Sequence, residues 1–355
     1  MISSAACPDI NVLMLTPTAF PRCTGNAVTV DRIARLLSRR NISCEILDLS
    51  RTSPDALGKR ARSAAPDLLH AFHAVKGGVA GLRLHEQLGV PLITTLTGTD
   101  INLDFADPDK RRVMREVLTR SAAVTVFQET LLPRLHRLGI LRDRIRVIHQ
   151  SVDFPERRDR DYRAGLGLSG DTPVILMLGG LRQVKQMDYA VAALKKIHRR
   201  HRTFQLLIAG PLLEPSAMAA LDEALRTHPW IHYLGEVPRN QVPSLLEQSD
   251  LVLNTSRSES ESNAILEALS FGRIVIARDI PGNAHLGTGA AGLLFRNRKE
   301  LERQLLAVLE QPERWAAVGK NARRRIVAFH RPDREMKAYA ALYRDVLRAS
   351  PRARR

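Results

Sequence analysis

The sequence predicts an α/β protein with two doubly wound halves, each a parallel sheet covered by helices on both faces. Strand-like and helix-like segments alternate along nearly all of the 355 residues. The strand-like segments are short and continuously apolar, which is typical of parallel strands that are buried on both faces. A charged stretch without periodicity, residues 154–172, breaks the alternation and predicts a linker between the halves.

The first half, residues 1–153, contains six predicted strands with helices between them. Its apolar runs are, in chain order, INVLMLT, SCEILDL, DLLHAFH, PLITTLT, AAVTVFQ and RIRVIHQ. The second half, residues 173–331, starts a new alternation with VILMLGG, FQLLIAG, IHYLGEV, DLVLNTS and RIVIARD. The sequence of residues 332–355 predicts a final amphipathic helix with a basic tail. Because ligands of open α/β sheets bind at the carboxyl ends of the strands, the residues directly after the strands are the candidates for function.

The composition excludes several classes of protein. Apolar residues make up 44% and charged residues 26% of the chain, and no apolar run approaches the roughly 18 residues of a membrane-spanning helix. The start of the chain lacks the basic segment of a signal peptide. Three cysteines, Cys7, Cys23 and Cys44, are too few for a disulfide framework and indicate reduced thiols in a cytoplasmic protein. No Cys/His cluster has the spacing of a zinc site, so we expect no metal.

The formal net charge of +17 indicates either an anionic partner or a solvated basic surface. Nucleic acid, an anionic membrane surface and a phosphate-bearing substrate all fit such a charge. The aromatic content is 5%, and no aromatic residues interleave with the arginine runs, so we expect no nucleic acid. Peripheral docking at the inner membrane surface and a merely solvated surface both stay open.

The first candidate motif is the loop after the first strand, which ends with Thr24, Gly25 and Asn26. Gly25 allows the backbone to come close to a ligand, and the helix that follows offers free N–H groups to an anion. The alternative is an ordinary turn in which Thr24 or Asn26 caps the helix.

The second motif, GGLRQVK, follows the first strand of the second half. Gly179 and Gly180 end the strand, and Arg182 and Lys185 come next. Two cations beside a helix N-terminus are unfavourable for the helix dipole, and a bound anion would offset that conflict. The motif therefore predicts a phosphate site more strongly than a merely charged surface.

The third motif, SESESNAILE, places Glu259 in a loop after a strand and Glu267 one turn into the following helix. The free N–H groups of residues 260–264 lie between the two acids. Carboxylates accept hydrogen bonds from hydroxyl groups and amides donate to oxygens, so the combination fits a nucleotide sugar. The alternative is helix capping, in which Glu259 and Glu261 favour the helix dipole.

Together these motifs resemble the retaining GT-B glycosyltransferases of family 4. ESESNAILE is similar to the two-glutamate motif of that family, GGLRQVK to its Arg-x-x-Lys diphosphate clamp, and IPGN and GLLF to the turn and strand that follow. TGNAVTVDRIARLL, TGTDIN and ARDIPGN look closest to the glycosyltransferase 1 domain-containing proteins, and bacterial selenosugar synthases share a similar outline. The resemblance implies two Rossmann-like domains that face a cleft, with a C-terminal helix returning towards the first domain.

For a nucleotide-sugar donor, the resemblance implies that Glu267 binds the ribose hydroxyls and that Glu259 contacts the transferred sugar. Arg182 and Lys185 would neutralise the departing diphosphate, which makes a metal unnecessary. The further donor contacts that it implies are Gly25, Asn26, Gly180, Val237 (near the base), Ser260, Asn263 and Ala264.

The sequence departs from the family pattern at two places. Ser260 and Glu261 replace the glycine and the apolar residue that usually follow the first glutamate, and Thr97 stands where many relatives have histidine. His73 or Asp100 would then take over the sugar or acceptor contact of that histidine. The alternative for His73 is a strand-end histidine without a functional role.

The leading hypothesis is therefore a retaining, metal-independent glycosyltransferase that uses a UDP-linked sugar and an unidentified acceptor. The main alternative is a selenosugar or thiosugar synthase, with UDP-N-acetylglucosamine as donor and a selenophosphate-like or thiol acceptor. A sugar-nucleotide epimerase and a basic nucleic-acid-binding protein are the remaining hypotheses.

Overall fold

The computed structural model describes residues 10–201, 203–286 and 292–350. The chain divides into two compact units, one with the residues up to Ser151 and those from Pro332 onward, the other with residues 152–331. Cys7 and the basic tail beyond Ser350 lie outside the described residues. Cys23 and Cys44 form no disulfide bond. Within the described ranges, no helix is long and apolar enough to cross a membrane.

The first unit is built on a sheet of six parallel strands. These are β1 (Ile10–Thr16), β2 (Ile42–Asp48), β3 (Leu68–Phe72), β4 (Leu92–Thr95), β5 (Ala123–Val126) and β6 (Ile145–Val147). Their order in the sheet is β2-β1-β3-β4-β5-β6, and Val12 of β1 pairs with Cys44 of β2 and Leu68 of β3. The helices are α1 (Gly25–Ser38), α2 (Pro54–Ala64), α3 (Gly78–Leu88), α4 (Thr99–Asn102), α5 (Pro108–Arg120) and α6 (Leu132–Arg137).

The second unit repeats this plan with another sheet of six parallel strands. These are β7 (Val174–Leu178), β8 (Gln205–Ala209), β9 (Ile231–Tyr233), β10 (Leu251–Asn254), β11 (Ile274–Arg278) and β12 (Leu293–Phe295). The helices are α7 (Tyr162–Gly165), α8 (Met187–His198), α9 (Ser216–Thr227), α10 (Val242–Glu247), α11 (Asn263–Ser270), α12 (Arg298–Glu310) and α13 (Pro312–Phe329). The order β12-β11-β10-β7-β8-β9 makes β7 and β10 neighbours. The predicted α/β class with two parallel sheets is confirmed.

Local sequence signals explain how these elements begin and where they are buried. Every residue of β3 is buried, as a continuous apolar run predicts for a strand covered on both faces. Thr24 caps α1 by accepting a hydrogen bond from the Ala27 N–H. Asp107 caps α5 in the same way, and Pro108 follows at the first helical position, where its missing N–H costs nothing.

The last helix, α14 (Pro332–Ala349), belongs to the first unit, as predicted. Arg32 of α1 forms a buried ion pair with Glu335, with Nε 2.9 Å from Oε2. The Tyr343 hydroxyl lies 2.6 Å from Nδ1 of His70, inside the apolar core. Burial lowers the pKa of His70 to about 3, so the ring is neutral near neutral pH. Polar contacts thus fix the helix to its unit in addition to apolar packing.

Residues 154–172, which the sequence predicts as a linker, are docked on the second unit. Both terminal nitrogens of Arg157 contact the Glu247 carboxylate, at 2.7 and 2.5 Å. Arg163 Nη2 lies 3.0 Å from the Asp250 carboxylate. Two arginines of this stretch thus pair with carboxylates that lie far away in the sequence, so their positions do not follow the periodicity of one amphipathic element.

Candidate functional site

A cluster of charged side chains lies at the carboxyl ends of β7 and β10. The Lys185 ammonium is 2.6 Å from Glu259 Oε1, and the Asn254 side-chain amide donates to the same oxygen at 3.2 Å. Because β7 and β10 are neighbours, the loops that follow them meet although they are far apart in the sequence. The structure therefore brings together the lysine and the first glutamate that the sequence predicts for one site.

The Glu259 carboxylate is held in its charged form. Burial acts to raise its pKa, but the ion pair with Lys185 and the hydrogen bonds from Lys185 and Asn254 outweigh burial. The pKa of Glu259 therefore lies below its ordinary value. At neutral pH this side chain accepts hydrogen bonds and has no proton to donate.

The loop that carries Lys185 is fixed by the segment that follows β10. The Thr255 hydroxyl donates to the carbonyl oxygens of Lys185 and Gln186, at 2.8 and 3.0 Å. The Arg257 N–H donates to the Val184 carbonyl oxygen at 2.9 Å. These bonds hold the backbone under Lys185, so its ammonium group meets Glu259 from a defined position.

Several glycines permit close backbone approaches around the cluster. A Cβ atom at Gly282, in the IPGN turn, would lie 2.2 Å from the carbonyl oxygen of Glu259. A Cβ atom at Gly210 would lie 2.2 Å from the carbonyl oxygen of Gly179, and Gly179 itself has a φ of 136°. A side chain at Gly180 would also collide with a neighbouring leucine. At Gly210 and Gly282 the clash is with backbone atoms, so only glycine lets the strand end and the IPGN turn pack this tightly.

The buried polar atoms near the cluster that lack a hydrogen-bond partner among the described residues include Arg182 Nε, Ser258 Oγ and Ser260 Oγ. Buried polar atoms in native proteins are nearly always satisfied by protein, water or a ligand. Two of these atoms flank Glu259 in the sequence, and the third belongs to the predicted cation pair.

The second glutamate lies on α11, as the sequence predicts. The helix begins at Asn263, with Ser262 as its N-cap residue, so Asn263 and Ala264 lie in its first turn. Glu267 follows one turn later and is buried. The first-turn N–H groups of a helix have no partner within the helix itself.

Sequence analysis misses one charged residue of this region, Arg239. Its Nη2 is 2.8 Å from Glu267 Oε1, and the two side chains are 9% and 5% exposed. Its guanidinium also lies over the Phe154 ring, 4.2 Å from the centroid. No sequence pattern connects these residues, because the ion pair arises only when distant segments pack together.

The structure changes the interpretation of Val237, which the resemblance places near the nucleotide base. Its side chain is buried in the apolar core of the second unit. A contact of Val237 with a ligand would therefore have to come from its backbone and not from its side chain.

In the first unit, the loop before α1 combines a capped helix with open space. Thr24 is the cap, so the capping alternative is present, and its hydroxyl also lies 2.7 Å from that of Thr18. Gly25 is exposed, and a Cβ atom placed there would meet nothing within 4 Å. Asn26 is half-buried. The loop therefore has open space beside Gly25.

Asp100 is completely buried, and its carboxylate is hydrogen-bonded to the backbone around it. Its carboxylate oxygens accept hydrogen bonds from four N–H groups, those of Ala74, Thr97, Gly98 and Ile101. The aspartate thus shapes the loop after β4 and joins it to the segment after β3. Thr97 Oγ1 is buried and has no hydrogen-bond partner within the part of the chain that the structure describes.

His73 follows β3 directly and begins a π-helical turn, His73–Gly77. Its φ of 73° lies in the left-handed region, which is uncommon for a residue other than glycine. Nδ1 accepts a hydrogen bond from the Lys76 N–H at 3.2 Å, and Nε2 lies 3.7 Å from Asp104 Oδ2. Strained backbone of this kind is concentrated at functional sites, which keeps His73 a candidate.

Across the described ranges, no group of three or more His, Cys, Asp and Glu residues is arranged to hold a metal ion.

Each half of the chain matches a family model of glycosyltransferases. The model of glycosyl transferases group 1 matches residues 158–325, and the model of glycosyltransferase family 4 matches residues 10–155. Glycosyltransferase 1 domain-containing protein 1 of Xenopus tropicalis is 27% identical over 330 residues, which cover 90% of this chain and 94% of that protein. N-acetyl-alpha-D-glucosaminyl L-malate synthase of Bacillus anthracis is 25% identical over 290 residues, or 79% and 75% of the two chains.

A solved structure shares the fold. The Anabaena protein HepE, crystallised in complex with UDP-glucose, aligns with a TM-score of 0.79 and 18% identity, covering 95% of this chain and all of that one. The two family models succeed one another along most of the sequence, and the shared fold is GT-B. The chain therefore belongs to glycosyltransferase family 4.

Proposed function

We propose that the chain transfers a sugar from a UDP-linked donor to an acceptor, with retention of the anomeric configuration and without a metal ion. The observation that carries this proposal is the cluster of Lys185, Glu259 and the buried Arg182 Nε at the ends of β7 and β10. Two cations and one acid in a buried setting fit a diphosphate that is attached to a sugar.

In this proposal, Arg182 and Lys185 bind the diphosphate. A phosphate oxygen would supply the acceptor that Arg182 Nε lacks. Lys185 already lies 2.6 Å from Glu259, so a phosphate that reaches Lys185 also comes next to the acid that holds the sugar. When the bond between the anomeric carbon and the diphosphate breaks, its electron pair goes to the diphosphate, where both cations stabilise the charge.

The transferred sugar would lie against the loop after β10. Glu259 would accept hydrogen bonds from its hydroxyl groups, because its lowered pKa keeps the carboxylate charged. Ser258 and Ser260 are additional candidates, since their buried hydroxyl oxygens lack a partner within the described residues. The N–H groups of Asn263 and Ala264 would orient the sugar from the first turn of α11.

The nucleoside would be held on the other side of the diphosphate. Glu267 would accept hydrogen bonds from the ribose hydroxyls, and the backbone at Val237 would touch the base. Gly180, Gly25 and Asn26 stay predictions as further contacts to the donor.

The acceptor would attack the anomeric carbon from the face that UDP leaves, and its proton would pass to the departing diphosphate oxygen. This route gives retention without a protein nucleophile, which agrees with the engagement of Glu259 by Lys185 and Asn254. The positive charge of Arg182 and Lys185 would take the place of a metal ion.

The names of similar proteins narrow the choice of donor. HepE was crystallised with UDP-glucose, and the Bacillus anthracis relative is an N-acetylglucosaminyl malate synthase by name. We therefore propose UDP-glucose and UDP-N-acetylglucosamine as the first donors to test. His73, Thr97 and Asp100 remain the proposed contacts for the acceptor or the sugar.

A panel of nucleotide sugars scored by thermal unfolding tests the donor, because a ligand that binds only the folded chain stabilises it by about 2.7 kcal/mol at 100 times Kd. Glu267→Ala should remove most of the stabilisation by UDP-sugars. Lys185→Ala should lower kcat more than it raises KM, because the ammonium acts mainly on the charge that develops as UDP leaves.

Lys195→Ala is the matched control, since Lys195 is exposed on α8 in the same unit and should leave both constants unchanged. Full activity in both Glu267→Ala and Lys185→Ala would contradict the site assignment. Product analysis with and without a thiol or selenophosphate acceptor separates sugar transfer to oxygen from the selenosugar or thiosugar alternative. An altered sugar formed without any acceptor would indicate an epimerase.

A further inference from the structure

The ion pair between Arg239 and Glu267 is buried and joins two segments that are distant in the sequence. Nη2 of the arginine lies 2.8 Å from Oε1 of the glutamate, and neither side chain is more than one-tenth exposed. A buried carboxylate is strongly dependent on such a partner, because water cannot solvate it. A substitution of Arg239 would therefore directly alter the surroundings of the Glu267 carboxylate.

The arginine is itself held by an aromatic stack. Its guanidinium lies 4.2 Å from the centroid of the Phe154 ring, a distance at which the ring face attracts a cation. Phe154 in turn meets Phe271 edge-on, with centroids 5.8 Å apart. Phe271 is the C-cap residue of α11, the helix that carries Glu267.

Backbone contacts complete this support. Arg239 begins a short 3-10 turn, Arg239–Gln241, directly after Pro238, and its Nη2 also lies 3.4 Å from the Asp153 carbonyl oxygen. The Arg158 N–H donates to the Asn240 carbonyl oxygen at 2.9 Å, so the segment that carries Phe154 is fastened to the same turn. The guanidinium thus has one defined place, between the ring and the glutamate.

We propose that Arg239 is a positioning residue that fixes the Glu267 carboxylate for the ribose diol of the donor, with Phe154 as its platform. This inference rests on the proposed function, in which Glu267 binds the ribose. A glutamate side chain has three rotatable bonds, and two vicinal hydroxyl groups are bound well only if both carboxylate oxygens are held in one orientation. The ion pair with a stacked, planar guanidinium supplies that orientation.

A nucleotide without the diol tests the inference. Isothermal titration calorimetry would compare the Kd of UDP with that of 2′,3′-dideoxy-UDP for the wild-type chain, Arg239→Ala and Glu267→Gln. The wild-type chain should prefer UDP by at least about tenfold, since hydrogen bonds to a charged group are among the strong ones. Arg239→Ala should lose most of this preference while binding 2′,3′-dideoxy-UDP as the wild-type chain does.

Two more conservative substitutions should reduce the preference for UDP by an intermediate amount. Arg239→Lys keeps the charge but loses the planar stack, and Phe154→Leu keeps the arginine but removes the ring, so each should lose part of the preference for UDP. If Arg239→Ala does not fold, these two variants carry the test. Arg157→Ala is the matched control, because Arg157 lies on the same segment as Phe154 but forms its exposed ion pairs with Asp159 and Glu247 and not with Glu267. It should keep the wild-type preference.

The outcomes separate the inference from the function on which it rests. If Glu267→Gln loses the preference for UDP but Arg239→Ala, Arg239→Lys and Phe154→Leu all keep it, Arg239 is a structural residue and the inference is wrong. If the wild-type chain binds both nucleotides equally, Glu267 does not hold the ribose, and the proposed role of the glutamate is wrong together with the inference.

Discussion

Replacing Gly282 by alanine would press a methyl group against the backbone of Glu259. The new Cβ would lie 2.2 Å from the Glu259 carbonyl oxygen and 2.6 Å from its carbonyl carbon, whereas real Cβ atoms essentially never approach within 3.0 Å. The IPGN turn or the Glu259 loop must therefore move by at least 0.8 Å, the difference between 3.0 and 2.2 Å. Because both neighbours are backbone, no side chain can rotate away to relieve the contact.

The displacement acts on a group that the proposed function places at the reaction centre. A misplacement of about 1 Å can cost about 100-fold in rate, so we expect Gly282→Ala to lower kcat/KM by about that factor. The assay is steady-state transfer from the donor that stabilises the chain in the nucleotide-sugar panel. Gly165→Ala is the control, since a Cβ there meets nothing within 4 Å. Wild-type kcat/KM in Gly282→Ala, with an unchanged circular dichroism spectrum, would refute the reasoning.

Two further predictions concern the first unit. The pKa of His70 is lowered to about 3 in the fold but lies near 6.5 in the unfolded chain, so protons bind preferentially to the unfolded chain between these values. The free energy of unfolding should then fall by up to about 1.4 kcal/mol per pH unit below pH 6.5, and urea titrations of His70→Gln should lack this part of the slope. If the free energy of unfolding has the same pH dependence in the wild-type chain and in His70→Gln, this prediction is wrong. Glu335→Ala should reduce the free energy of unfolding by about 3–5 kcal/mol, because it leaves Arg32 buried without its carboxylate. The double variant Arg32→Met, Glu335→Leu should recover part of that loss in the same urea titrations, and an unaltered midpoint for Glu335→Ala would contradict the argument.

The fold could be predicted from the sequence because its signals are local. The run from Ile10 to Thr16 is apolar without interruption, which already indicates a strand covered on both faces. The regular spacing of such runs then predicts crossover helices and parallel sheets, and both sheets are observed. The family resemblance is confirmed for the same reason, since the glutamate motif and the GGLRQVK motif are each contiguous in the sequence.

Residues whose roles depend on distant partners could not be predicted in this way. The sequence predicts Asp100 as a candidate contact for the sugar or acceptor, and it gives no sign that the carboxylate accepts hydrogen bonds from backbone N–H groups of two loops. The resemblance places Val237 near the nucleotide base, and only the structure shows that its side chain belongs to the core. Arg239 gave no signal, because an arginine in a polar turn is ordinary until Glu267 and Phe154 are packed beside it. Sequence reasoning predicts the strand ends, because they are local, but it carries no information on which distant segments share one side chain.

The ion pair between Lys185 and Glu259 gives a physical reason for two cations in the GGLRQVK motif. The lysine charge is balanced by the glutamate in this ion pair, so the pair contributes little net positive charge to a diphosphate. Within the described residues, Arg182 forms no ion pair and keeps one buried nitrogen without an acceptor. Under the proposed function, the attraction that first brings the diphosphate to the site therefore comes mainly from Arg182. Lys185 contributes later, when the leaving diphosphate gains charge and competes with Glu259 for the ammonium group.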